Sequence, residues 1–387
     1  MKLATRADFS PISIQKCRST TMLRRLSNNH KYRIQPYHIN GLNWRLVLDD
    51  PKRDNIIIVA GFMPSWWYKE YGITFGKEYH SNPEVRKITL VKCQKLLKER
   101  FGHLPNFFCG YDYQSSYPVE RPYGDALIPG LFGCSIIYDT ASGHPFAEQL
   151  HLADDRVFDL EIPYIKNHPL IESIYPFPQE DVPKNTVIGE LGLEGVLNIA
   201  LKLCGEQIFI DMITNPDRAH HVFRVIAETM DQLGHLACER RDPESKKPTY
   251  LTTCNCTINM VSGDMYRKQL LAYDQYLYES FDIFGIHNCP WPIDQYLKSY
   301  AQMKSLAYLD MGMESDIDLV HRLFPDLTPS VFFYPPDEFR RLSIPQIKKE
   351  TTELGKRIGR GYVLLQDIEV GTTDAQIEAA YEAASKL

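Results

Sequence analysis

The tetrapeptide His287-Asn288-Cys289-Pro290 sets an imidazole and a thiol two residues apart. It closes a short apolar run, Phe284-Gly285-Ile286, that reads as a strand. Side chains alternate faces along a strand, so His287 and Cys289 are expected to point the same way. A neutral imidazole beside a thiolate offers two ligands to Zn²⁺. Zinc held by three protein groups keeps one position open, and a thiol entering it is deprotonated by the cation. A buried cysteine next to a hydrogen-bonded core histidine is the competing reading. Two other pairs share the spacing. Cys254 and Cys256 would lie on one strand face, as a third ligand or as small core residues. Asp367 and Glu369 close the last strand candidate, and either could complete the metal shell through oxygen or remain a loop carboxylate.

Eight apolar runs, each followed by helical sequence, could position these groups. They fall at residues 55–60, 106–112, 186–190, 249–256, 285–289, 306–310, 330–334 and 361–367. Strands alternating with helices imply parallel pairing through right-handed crossovers. Eight such units predict an α/β protein, a (β/α)₈ TIM barrel, with a doubly wound open sheet as the competing architecture. The expected organisation is an N-terminal extension over 1–50 and one barrel over 51–387, with a long insertion after the second strand. Catalytic groups of such barrels sit at the C-terminal strand ends. Asp112 and Glu190, at the second and third ends, are candidate catalytic carboxylates, and Asp310 closes the sixth candidate. Trp66 and Trp67 follow the first strand and Tyr334 ends the seventh; these three are candidate cofactor contacts.

Composition narrows the function classes. The 387 residues carry a formal net charge of −6, and no stretch pairs dense Lys/Arg with aromatic spacing, so no nucleic-acid partner is expected. No apolar run is long enough to span a bilayer. Residues 1–31 hold seven Lys/Arg and one acid, net +6, leaving −12 on the remainder. Such a start reads as a disordered extension, with Met22 an alternative initiator, or as a transit peptide. Nine scattered cysteines fit free thiols in a reducing, cytoplasmic setting better than disulfides. No P-loop, dinucleotide fingerprint, nucleophile elbow or HExxH pattern occurs.

From residue 55 onward the chain resembles the uroporphyrinogen decarboxylase superfamily. The matching stretches are 256–266, Gly285-Ile286-His287-Asn288-Cys289 and Leu309-Asp310-Met311-Gly312. They look like the branch of zinc-dependent, corrinoid-linked methyltransferases. The resemblance implies a barrel whose His-x-Cys, here His287 and Cys289, binds zinc with a cysteine from the last strand. This chain departs there, with Gln366-Asp367-Ile368-Glu369 and no cysteine. Asp367, Glu369 or Cys256 would take that place, or the metal is lost. The implied activity moves a methyl group between a corrinoid (cobalamin) on a carrier protein and a small-molecule acceptor such as a thiol or tetrahydrofolate. A decarboxylase-like lyase and a non-catalytic tetrapyrrole-binding protein are the alternatives. The first loop, Gly61-Phe62-Met63-Pro64-Ser65-Trp66, lacks the arginines with which the decarboxylases clamp a polycarboxylate.

Overall fold

The computed structural model describes residues 31–49, 55–110, 122–139, 144–152, 154–174, 193–241 and 248–387. The described chain opens with an antiparallel hairpin, β1 (Tyr32–His38) and β2 (Leu42–Leu48). β3 (Ile56–Phe62) follows, then a short pair, β4 (Ile136–Ile137) and β5 (Phe146–Ala147), inside the long insertion. The remaining strands are β6 (Leu193–Glu194), β7 (Tyr250–Cys254), β8 (Ile283–His287), β9 (Leu306–Gly312), β10 (Ser330–Phe332) and β11 (Gly361–Ile368).

Seven of these form one parallel sheet in the order β3-β11-β10-β9-β8-β7-β6. That order runs through the sequence as a barrel would, but among the described residues no pairing joins β3 to β6. The described residues thus show a seven-stranded parallel α/β sheet in place of the expected eight-stranded closed barrel. The missing place is that of the second strand candidate. Its described part, residues 106–110, forms no ladder. Phe107 instead packs towards the helical layer, 5.4 Å from Phe101 and 5.5 Å from Tyr381 between ring centroids. Phe108 turns the other way, with the Arg45 guanidinium 3.9 Å from its ring centre and Tyr37 at 5.4 Å. The third candidate, 186–190, lies outside the described residues.

Strands buried on both faces read as unbroken apolar runs, and β3 shows why. Ile56, Ile58 and Ala60 join the large core under the helices. Ile57 and Val59 join a second cluster on the inner face, with Tyr250, Cys254, Ile283, Tyr308, Phe332, Tyr362 and Leu364. The hairpin completes that second cluster through Ile34, Leu42 and Trp44. Burying each such side chain contributes about 1.5–3 kcal/mol. Gly285 makes room for it, since a Cβ there would meet Tyr308 Cβ at 2.7 Å and Ile34 Cδ1 at 3.3 Å. At the open end of the hairpin, Asp49 accepts from Arg360 at 2.8 Å and lies 3.9 Å from Arg33 Nε. The sequence contains a hairpin signal here, Asn40-Gly41 between alternating apolar residues, inside what reads as extension.

Helix ends follow their sequence signals. Asn82 Oδ1 accepts from Glu84 N at 3.0 Å and Val85 N at 3.4 Å, with Pro83 opening the helix Pro83–Phe101. The eight described cysteines are free. Among the described residues no helix is long and apolar enough to cross a membrane.

Candidate metal centre

β8 ends at His287, so Cys289 is not on the strand. It adopts a left-handed backbone, φ 61°, which turns its thiol back onto the His287 ring. Sγ lies 3.1 Å from His287 Nε2. The alternation argument thus reached the right neighbours through the wrong geometry: a reversal just past the strand brings them together. Gly312 admits that reversal, because a Cβ there would sit 2.3 Å from the Pro290 carbonyl oxygen. Gly312 N instead donates to Trp291 O at 3.0 Å.

Cys256 supplies the third group. It lies beyond β7, in the short 3-10 helix Cys256–Met260, rather than on the strand with Cys254. Cys289 Sγ is 2.9 Å from Cys256 Sγ. The ligand atoms of Cys256, His287 and Cys289 all lie within 4.8 Å of one another. Register explains the convergence. Cys254 pairs with His287 on the neighbouring strand, and Asn255 N donates to His287 O at 2.6 Å.

A buried scaffold fixes the imidazole. His287 Nδ1 donates to Asp310 Oδ2 at 2.5 Å, and Asp310, fully buried, also accepts from Tyr308 Oη at 2.8 Å and Asn288 N at 2.6 Å. Asn288 Nδ2 donates to Asp310 O, and Tyr300 Oη donates to Asn288 Oδ1 at 2.6 Å. The rings of Trp44 and Phe332 meet the His287 ring edge-on, each at 5.7 Å. With Nδ1–H committed to the carboxylate, Nε2 is left to face the two sulfurs. That is the carboxylate–histidine arrangement by which proteins orient a metal-binding imidazole.

Without a cation, electrostatics favour the ligand form of Cys256 alone and keep protons on its two neighbours. The Cys289 thiol donates to Cys256, and that bond with the His287 charge outweighs burial, holding the Cys256 thiol down to about 5. The same bond and burial push Cys289 well above the ordinary range. Burial pulls His287 down, but the Asp310 carboxylate and Cys256 thiolate outweigh it and raise the imidazole to about 10. The cluster therefore gathers protons, which a bound cation would replace. Two sulfurs and one nitrogen with a carboxylate behind the imidazole suit zinc with one open position.

The cluster faces a cavity of about 440 Å³. Leu42, Met63, Pro129 and Ile199 give it apolar walls, while Asp125, Glu194, Lys202 and Asp367 bring charge. Asp367 thus reaches the same cavity, at φ 60°, but stands outside the three-residue cluster. Glu369 is directed away, 3.8 Å from Arg340 Nη1. Trp66 and Trp67, expected to stack on a cofactor, are instead buried in the core. They pack against each other and Phe62, and Trp67 Nε1 donates to Ile39 O at 2.7 Å. Two adjacent large apolar rings gain more from burial than from a place at a solvated rim. Tyr334 is half-buried, 5.0 Å from the Phe333 ring, and does not line the cavity. Asp112 and Glu190 lie outside the described residues. Trp44 and Glu194 are site residues that the sequence reading passed over.

Fold and site together define a parallel α/β protein with a Cys₂His cluster able to hold a metal. Among solved structures, the chain is similar to a methyltransferase from Methanosarcina mazei, with a TM-score of 0.62 and 15% identity over 87% of this chain and 95% of that one. That likeness shows a shared fold. No protein-family model matches the chain, and no curated protein matches it significantly.

Proposed function

We propose that the protein is a zinc-dependent methyltransferase, moving a methyl group between a corrinoid on a carrier protein and a small acceptor such as a thiol. The observation that carries this reading is the convergence of Cys256, His287 and Cys289 on one cavity at the C-terminal strand ends. Cys256 takes the third ligand place, in preference to Asp367 or Glu369. Bound there, zinc would supply Lewis-acid stabilisation to the acceptor's deprotonated atom. Asp310 holds the His287 tautomer, and Trp44 and Phe332 hold its ring. A cavity of about 440 Å³ suits a small molecule and is too small to enclose a corrinoid, so the carrier would present its methyl group at the mouth. The structural likeness to a methyltransferase supports the reading at the level of fold.

The test is methyl transfer from methylcobalamin to a panel of small thiols by zinc-replete protein, alongside His287→Ala and Cys256→Ser. Transfer by the wild type that disappears in both variants together with the zinc is the expected result. Transfer that persists in metal-free variants would remove the metal from the reading.

A further inference from the structure

We infer that Glu194 is a catalytic proton acceptor of this site, and that the acceptor is a nucleophile carrying a proton on its reacting atom. The inference rests on the function proposed above. Glu194 closes β6 in register with Cys254, and Cys254 is in register with His287. Registered residues of parallel neighbours point to the same face, so the three form one row across the inner face. Two strand spacings of about 4.8 Å separate the Glu194 and His287 backbones, a gap that a glutamate and a bound molecule bridge together. Glu194, Cys254 and His287 all line the cavity with Cys256 and Cys289.

The carboxylate is held rather than loose. Asn198 Nδ2 donates to Glu194 Oε2 at 2.5 Å, and Asn198 Oδ1 accepts from Thr257 N at 2.9 Å. One buried amide thus ties Glu194 to the residue that follows Cys256.

Charge balance gives this placement its use. Two thiolates and a neutral imidazole offset a divalent cation. A thiol that binds as thiolate adds a negative charge to a cavity already lined by Asp125, Glu194 and Asp367, where a further uncompensated charge is costly. If the S–H bond breaks and an O–H bond forms on Glu194, the cavity's total charge stays constant and no electrons change hands. The other titratable groups lining the cavity are Asp125, His144, Lys202, Asp367 and the cysteines. Asp125 belongs to the 3-10 helix Gly124–Ala126, Lys202 to the helix Val196–Cys204 and Asp367 to β11, none of them in the Glu194–Cys254–His287 row.

Calorimetric titration of the zinc-replete protein with 2-mercaptoethanol, in buffers of different ionisation heat across the neutral range, tests the proposal. The wild type is expected to bind the thiol with little net proton release and little change of affinity with pH. Glu194→Gln is expected to keep its zinc, release the thiol proton to buffer and gain about tenfold in affinity per pH unit. Equal proton release by both proteins overturns the proposal, as does Asp125→Asn reproducing the effect while Glu194→Gln does not. Zinc-replete wild type that binds no thiol also overturns it. Protein that takes up no zinc overturns the functional reading, a distinct result.

Discussion

Replacing Asp310 by Asn leaves shape and volume almost unchanged but removes an acceptor oxygen from the back of the metal cluster. In the wild type Oδ2 accepts from His287 Nδ1 and Tyr308 Oη, while Oδ1 accepts from Asn288 N. An amide has one oxygen for these three donors. With the oxygen towards His287, the NH₂ faces the Asn288 N–H; reversed, it faces two donors and favours the imidazole tautomer that cannot ligate through Nε2. Either way at least one buried donor goes unsatisfied, at about 1–3 kcal/mol. Zinc affinity is expected to fall about 10–100-fold, in line with other partners of this type. Competition against a chromophoric chelator measures it, with thermal unfolding as the control for folding. Affinity within about threefold of wild type in a folded variant would refute the role given to Asp310.

Three further outcomes follow from packing and protonation. His80 is buried and neutral: burial, then the Arg86 charge and His144, pull it from 6.5 to about 3. Its lowered value means that its contribution is complete above about pH 6.5 and is lost as pH falls towards 3, so the stability gap between wild type and His80→Asn should shrink by about 2 kcal/mol from pH 7.5 to 5. A gap independent of pH, read from urea midpoints, would show the ring to be protonated freely in the fold. Trp44→Ala should cost about 3–5 kcal/mol, since the indole is buried between His287 and Tyr308; a loss under about 1 kcal/mol in the same assay would mean the hairpin is not anchored by this ring. Gly312→Ala puts a Cβ 2.3 Å from Pro290 O, so the turn carrying Cys289 must shift. Zinc affinity should drop with it, and unchanged affinity would show that the turn moves independently of the thiol.

Local features were legible in the sequence, and long-range register was not. The unbroken apolar run of β3 announces burial on both faces, and Asn82-Pro83 announces a helix start. His287 and Cys289 were readable because they are neighbours in the chain. Cys256 was visible as one of several options, but its choice over Asp367 depends on β7 pairing with β8, which no local pattern encodes. The closed barrel was inferred from a count of runs. Residues 106–110 show that an apolar run can place its rings on two layers without forming a ladder. The tryptophan pair illustrates a second ambiguity: aromatic residues after a strand serve a rim or a core equally well until their neighbours are known. The hairpin had a local signal in Asn40-Gly41, obscured by the basic stretch before it.

X-ray absorption at the zinc edge of the purified protein tests the metal centre most directly. The expected spectrum has two sulfurs at about 2.3 Å and a nitrogen at about 2.0 Å, with one sulfur lost in Cys256→Ser. Zinc surrounded only by nitrogen and oxygen, or a Cys256→Ser spectrum identical to wild type, would contradict the assignment of Cys256, His287 and Cys289 as its ligands.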